Sequence, residues 1–196
     1  MKNFIYFNFC ICFLFSSCFQ QGMNQIKYHP NDFGDGSKYL LKQRFIPGLF
    51  STVVNDCIIQ YERVTEGTKV NRVHFLINRK VEALDFVPTI HLKIDDLIFH
   101  IKINRVKTQL QTENETSSNQ MMTTDTTGNV MSSSSSSSTQ NSWFSEKFYI
   151  DLPIDAITNI ESAKKISYRF YYGPEPVTLE YDQDKLNQLK ELFSKK

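Results

Sequence analysis

The chain has 196 residues, enough for one folded domain with appendages. Its 22 basic and 21 acidic residues nearly cancel, and no basic stripe of the kind a nucleic-acid binder carries is evident, so nucleic acid is not expected as a partner. Four cysteines, at 10, 12, 18 and 57, form no C-x-x-C metal pattern beyond the first eighteen residues.

The first eighteen residues are compositionally distinct. Lys2 is the only charge before a dense apolar run from Phe4 to Phe15, and Phe15-Ser16-Ser17-Cys18 follows. A positive start, a short apolar stretch and small residues before a cut site are the parts of a secretory signal. A membrane-spanning helix needs about 20 apolar residues, and this run is shorter and contains Asn8. With the cysteine at the cut, the segment resembles the signal of a bacterial lipoprotein with a relaxed lipobox, Phe15-Ser16-Ser17-Cys18. Leu14 lies one place before the usual leucine position, and Phe15 occupies that position.

That resemblance implies removal of residues 1–17, lipidation (palmitate-type acylation) of Cys18, and a partner in the membrane reached through the lipid. Phe19 in place of the aspartate that retains such proteins at the inner membrane implies the outer membrane or cell surface. Two or more acyl chains anchor stably where one is marginal. Loss of residues 1–17 removes Lys2 and no acid, leaving 21 basic against 21 acidic residues. Cys10 and Cys12 leave with the signal, so Cys57 remains without a disulfide partner and reads as a small buried residue. The alternative is ordinary signal cleavage, giving a secreted binding module without lipid. A eukaryotic origin would then suit the serine run and make Asn114-Glu115-Thr116 a glycosylation site.

Residues 18–37 are polar and rich in turn formers, and read as a flexible tether. Asp32 and Asp35 lack the ligand spacing of a calcium loop. From residue 38 to 196 the pattern is that of one β-rich domain. Tyr39 to Phe50 reads as a short helix or first strand ending at Pro47-Gly48. Ser51 to Arg63 is a strand with a bulge near Asn55-Asp56. Lys69 to Asn78 alternates Val73, Phe75 and Ile77 with polar residues, and Val81 to Val87 is a weaker strand.

Thr89 to Lys107 carries the clearest pattern. With Asp95-Asp96 as a turn, Ile94 faces Leu97, Leu92 faces Phe99 and Ile90 faces Ile101. The apolar residues of both strands then share one buried face. Residues 108–145 are rich in Thr, Ser, Asn and Gln, include the Ser132–Ser138 run, and have no Lys or Arg. This composition predicts a disordered insertion, with Trp143 and Phe144 docking at its return. Phe148, Ile150 and Leu152 resume the strand. Asp151 or the next residue is expected to cap a helix with a buried stripe of Ile154, Ile157, Ile160 and Ala163. Tyr168, Phe170 and Tyr172 mark an inward strand face, and Val177, Leu179 and Tyr181 a last strand. Asp182 caps a final helix with Leu186, Leu189, Leu192 and Phe193 inward.

The fold class expected is therefore mainly β (or α+β): an antiparallel sheet or sandwich of roughly seven strands with two short helices near the C-terminus. No residue set points to a reaction or a cofactor. There is no Gly-x-Ser-x-Gly, and the serines crowd the low-complexity run, so an envelope hydrolase is the weakest reading. His91 and His100 fall opposite each other in the hairpin, near enough to share a metal, but Lys93 and Lys102 flank them and no third ligand is close, so no metal is expected. Arg169 and Tyr171, on the outward face of their strand, are the candidate binding residues. The function expected is non-enzymatic: a membrane-anchored envelope or surface lipoprotein that binds a protein or small ligand.

Overall fold

The computed structural model describes residues 22–30, 37–47, 53–65, 71–103, 106–124 and 130–195. The leader, Cys18 and the Asp32–Asp35 stretch lie outside them. Among the described residues, ten strands are arranged in two antiparallel sheets, with two helices near the C-terminus. The strands are β1 (Ile26–His29), β2 (Lys38–Phe45), β3 (Val54–Val64), β4 (Asn71–Lys80), β5 (Thr89–Ile94), β6 (Leu97–Lys102), β7 (Lys107–Thr124), β8 (Val130–Asp151), β9 (Ile166–Tyr172) and β10 (Glu175–Glu180). The helices are α1 (Ile154–Ser162) and α2 (Gln183–Ser194). The larger sheet has the order β1-β2-β3-β4-β8-β7 and the smaller β10-β9-β5-β6. Neither helix is long and apolar enough to cross a membrane.

Side chains in a strand alternate between faces, so one set from each sheet meets in a common interior. The larger sheet contributes Leu41, Ile59, Tyr61, Val73, Phe75, Ile77, Phe148 and Ile150; the smaller contributes Ile90, Leu92, Tyr168, Phe170 and Tyr172. Phe75 stacks on Phe148 at 5.0 Å and meets Tyr168 edge-on at 5.3 Å, which joins the sheets at their centre. The buried Tyr61 hydroxyl donates to that of Tyr168 at 3.1 Å and is also bonded to the Tyr181 hydroxyl. Burial pushes all three phenols up from their ordinary range, so they stay neutral hydroxyls. Cys57 is fully buried and free, and its thiol is likewise pushed up, first by burial and then by Asp56.

Two charged side chains sit inside this apolar interior. Arg79 continues the inward phase of Val73, Phe75 and Ile77, and Glu146 shares the inward phase of Phe148 and Ile150. Arg79 Nε donates to Glu146 Oε1 at 2.8 Å, and Arg79 Nη1 to the Ala83 carbonyl at 2.9 Å. The Tyr172 hydroxyl donates to Glu146 Oε2 at 2.7 Å. The guanidinium also lies 4.5 Å from the Phe144 ring centre. Burial and the adjacent carboxylate raise the Tyr172 phenol far out of its ordinary range. Every charge in the cluster thus has a partner, the condition under which buried ions are tolerated.

Several expectations meet the structure directly. The β5–β6 register is as expected, with Ile94 opposite Leu97, Leu92 opposite Phe99 and Ile90 opposite Ile101. The register of β3 against β4 slips between Val54 and Asp56, at the bulge position. Asp182 accepts a hydrogen bond from the Lys185 amide at 2.8 Å, which caps α2; the Lys185 ammonium first, and then that amide, hold the Asp182 carboxyl below its ordinary range. Leu186, Leu189, Leu192 and Phe193 are buried. Tyr168, Phe170 and Tyr172 are core.

Other expectations are narrowed or corrected. Of the two readings of Tyr39 onward, short helix or first strand, the strand is the one that forms. Within the expected tether, Ile26–His29 pairs with β2 and closes one sheet edge, since its backbone groups gain ladder partners there. Asp151 ends β8 and pairs with Arg72; Pro153 takes the cap position of α1 without a side-chain bond. Ile154 is 79% exposed, and Ala156 with Ile160 and Ala163 supplies the buried side of that helix. Leu97 is 50% exposed, at the start of β6, the edge strand of the smaller sheet.

The largest correction concerns 108–145. Rather than a disordered insertion, β7 and β8 form a continuous ribbon, paired from Lys107 with Lys147 to Thr124 with Val130. The ribbon needs no core for its backbone, because each strand satisfies the other's amides and carbonyls. Its base is held where residues 143–151 of β8 also pair with β4. Beyond it, residues 112–120 and 134–142 are exposed.

Excising residues 113–141 and joining Thr112 to Ser142 through an Asn-Gly turn should therefore leave the melting temperature within about 4 °C of the full chain. A larger drop would show that the distal ribbon packs on the domain. In contrast, Glu146→Gln strands the Arg79 charge in the interior and should cost about 3–5 kcal/mol in urea unfolding. Asp151→Asn, which breaks the exposed pair with Arg72, should cost less than about 1 kcal/mol.

Candidate functional site

The outward faces of both sheets are open to solvent, and each collects polar residues in rows fixed by the strand register. On the smaller sheet, Thr178 of β10 lies opposite Arg169 of β9, Arg169 opposite His91 of β5, and His91 opposite His100 of β6. Arg169 Nε donates to Thr178 Oγ1 at 3.0 Å. The Nδ1 atoms of His91 and His100 are 2.7 Å apart, and the Tyr171 ring meets His91 edge-on at 5.7 Å. All four residues singled out by sequence thus converge on one patch.

In this structure the two histidines are hydrogen-bonded to each other. At 2.7 Å one ring nitrogen must be unprotonated to accept from the other, so each histidine already occupies the other's nearest lone pair or proton. Arg169 stands beside them as a fixed cation. No group of three or more His, Cys, Asp or Glu side chains with metal-binding geometry occurs among the described residues. The His91 imidazole is held below its ordinary range, first by partial burial and then by the neighbouring His100 and Arg169 charges.

The larger sheet carries the better-formed concavity. One outward row crosses five strands, Arg44, Ile58, Leu76, Lys147 and Lys107; the next crosses four, Lys42, Gln60, His74 and Tyr149. All of these but Arg44 line an open groove of about 480 Å³, whose lining includes Ile58 and Leu76 as its outward apolar residues and Lys42, Lys107 and Lys147 as its cations. That volume lies in the range of small-ligand sites. The Tyr149 ring is stacked by Arg72 at 4.4 Å and tilted against His74 at 5.9 Å, which fixes the wall of the groove.

The charges on this face divide into two groups. Lys38 pairs with Glu62, Arg44 with Asp56 and Arg72 with Asp151. Lys42, Lys107 and Lys147 pair with no described acid, and Lys107 stands directly opposite Lys147. Like charges directly opposite across a strand pair are destabilising. The groove is therefore electropositive over an apolar floor.

Sequence reading missed this site. Its residues come from five strands, and their adjacency depends on the β4–β8 and β7–β8 pairings, which a disordered reading of 108–145 removes. The available signal was the outward phase of Lys147 and Tyr149 beside the inward phase of Phe148 and Ile150. Comparison with protein-family models, with curated proteins and with solved structures finds no match for the chain.

The histidine pair yields a titration test. A histidine with a folded pKa below its unfolded value binds protons more readily when unfolded, so stability falls as pH drops from the ordinary imidazole range towards the folded value. By NMR, His91 should titrate below the ordinary value of about 6.5, and His100→Gln should move it upward. An unmoved His91 titration in that variant would show the two rings are not coupled.

Proposed function

We propose that the protein is an exported, membrane-tethered binding protein of the cell envelope or surface, held by lipid on Cys18 and acting through an open sheet face rather than by catalysis. The groove of the larger sheet supports the binding role, because lysines with no acidic partner among the described residues line it beside apolar side chains, while neighbouring cations are neutralised. The anchoring role rests on the resemblance of residues 1–18 to a lipoprotein signal. With lipid on Cys18, the domain would stand off its membrane on the residues before β1, with both outward faces accessible. The mature chain's balanced charge gives no electrostatic help at an anionic membrane, so the acyl chains would supply the attachment. Outer-membrane or surface placement follows from Phe19 on the same reading.

Metabolic labelling with palmitate tests the anchor. Wild-type chain should take up label and partition with membranes, and Cys18→Ala should do neither. Unlabelled wild-type protein in the medium would leave the secreted, lipid-free alternative in its place.

A further inference from the structure

We propose that the groove on the larger sheet binds a monomeric amphipathic anion, a carboxylic acid with an extended apolar body of the fatty-acid type; this rests on the binding role proposed above. The first observation is shape with chemistry. Ile58 and Leu76 form an apolar floor too exposed to belong to the interior and too enclosed to be ordinary surface. The second is the arrangement of charge. Lys107 and Lys147 face one another at one end, and Lys42 closes the other.

Two opposed lysines without an acid repel, and a carboxylate between them converts that repulsion into two charge-assisted hydrogen bonds. From Lys147 on β8 to Lys42 on β2 the groove crosses three interstrand gaps, about 14 Å at roughly 4.8 Å each. An extended acyl chain lying across the strands from the Lys107–Lys147 end would cover Leu76 and then Ile58. Burial of such a chain is worth about 0.8 kcal/mol per methylene, so the apolar body supplies affinity and the lysines supply orientation.

A sugar is disfavoured by the aromatic ring present. Tyr149 carries Arg72 on one face and His74 beside it, which leaves less of the ring free for stacking. A long acidic polymer is disfavoured by the paired charges around the rim, where Glu62, Asp56 and Asp151 would face it.

The test is titration calorimetry of the full chain with dodecanoate below its micelle concentration, with dodecanol and dodecyltrimethylammonium as neutral and cationic counterparts. Dodecanoate should bind at one site at least tenfold more tightly than either counterpart. Lys107→Gln with Lys147→Gln should weaken dodecanoate at least tenfold while leaving the melting temperature unchanged or raised. Leu76→Glu should abolish binding. Equal affinity for dodecanoate and dodecanol, or an unchanged affinity in the double variant, would overturn the proposal. So would capture of poly-glutamate or anionic vesicles by a chain that does not bind the monomer. Absence of dodecanoate binding in a chain that still takes up palmitate at Cys18 would remove this ligand class alone, whereas turnover of dodecanoate would remove the non-enzymatic reading itself.

Discussion

Side-chain alternation in β3, β4 and β8 is the constraint on which both the interior and the groove depend. Ile59, Phe75 and Phe148 form one inward row, and the next residue along each strand faces water or the groove. A slip of one residue in β8 would carry Lys147 and Tyr149 into the interior and send Phe148 and Ile150 out. The same register that buries the aromatic cluster therefore assembles the lysine-rimmed floor. Site and core are two faces of one pairing pattern, and neither can shift alone.

The buried charges reinforce that register. Arg79, Glu146 and Tyr172 come from β4, β8 and β9, and their hydrogen bonds close only when the two sheets are correctly apposed. The Ala83 carbonyl, which accepts from Arg79, brings the crossing segment between the sheets into the same network. At the other end of the small sheet, the Asp95 carboxylate accepts from the Lys164 and Lys165 amides at 3.0 and 2.8 Å, fixing the α1–β9 connection to the β5–β6 turn. Such directional contacts contribute modestly to stability when satisfied, yet leaving one partner out is costly.

Local patterns in the sequence carried much of this. The β5–β6 hairpin was legible because a turn and an alternation fixed the same register, and the inward aromatic set of β9 because its period was unbroken. The cap at Asp182 followed from one residue and the apolar stripe behind it. What failed to read out was long-range or compositional. The Ser/Thr ribbon lacks apolar alternation, so its backbone pairing left no trace in hydropathy. Strand β1 is too short and too exposed to announce itself within a polar stretch. Of the candidate residues, His91, His100, Arg169 and Tyr171 do meet on one face, but as a mutually satisfied set. The groove residues were individually ordinary, and only strand order makes them neighbours. Arg79 and Glu146 offered a signal that was available: a charge standing in an inward phase.

The two outward faces differ in a way that bears on function. On the smaller sheet, His91 is bonded to His100 and Arg169 to Thr178 along one row. On the larger sheet, Lys42, Lys107 and Lys147 have no acidic partner among the described residues. The most direct check on the register beneath all this is thiol labelling of native Cys57 against a Lys147→Cys thiol in a Cys57→Ser background. The inward and outward phases require Cys57 to stay unreactive until the protein unfolds and the residue-147 thiol to react at the rate of a free cysteine. Comparable rates at the two positions in the folded protein would contradict the register, and with it both the core and the groove.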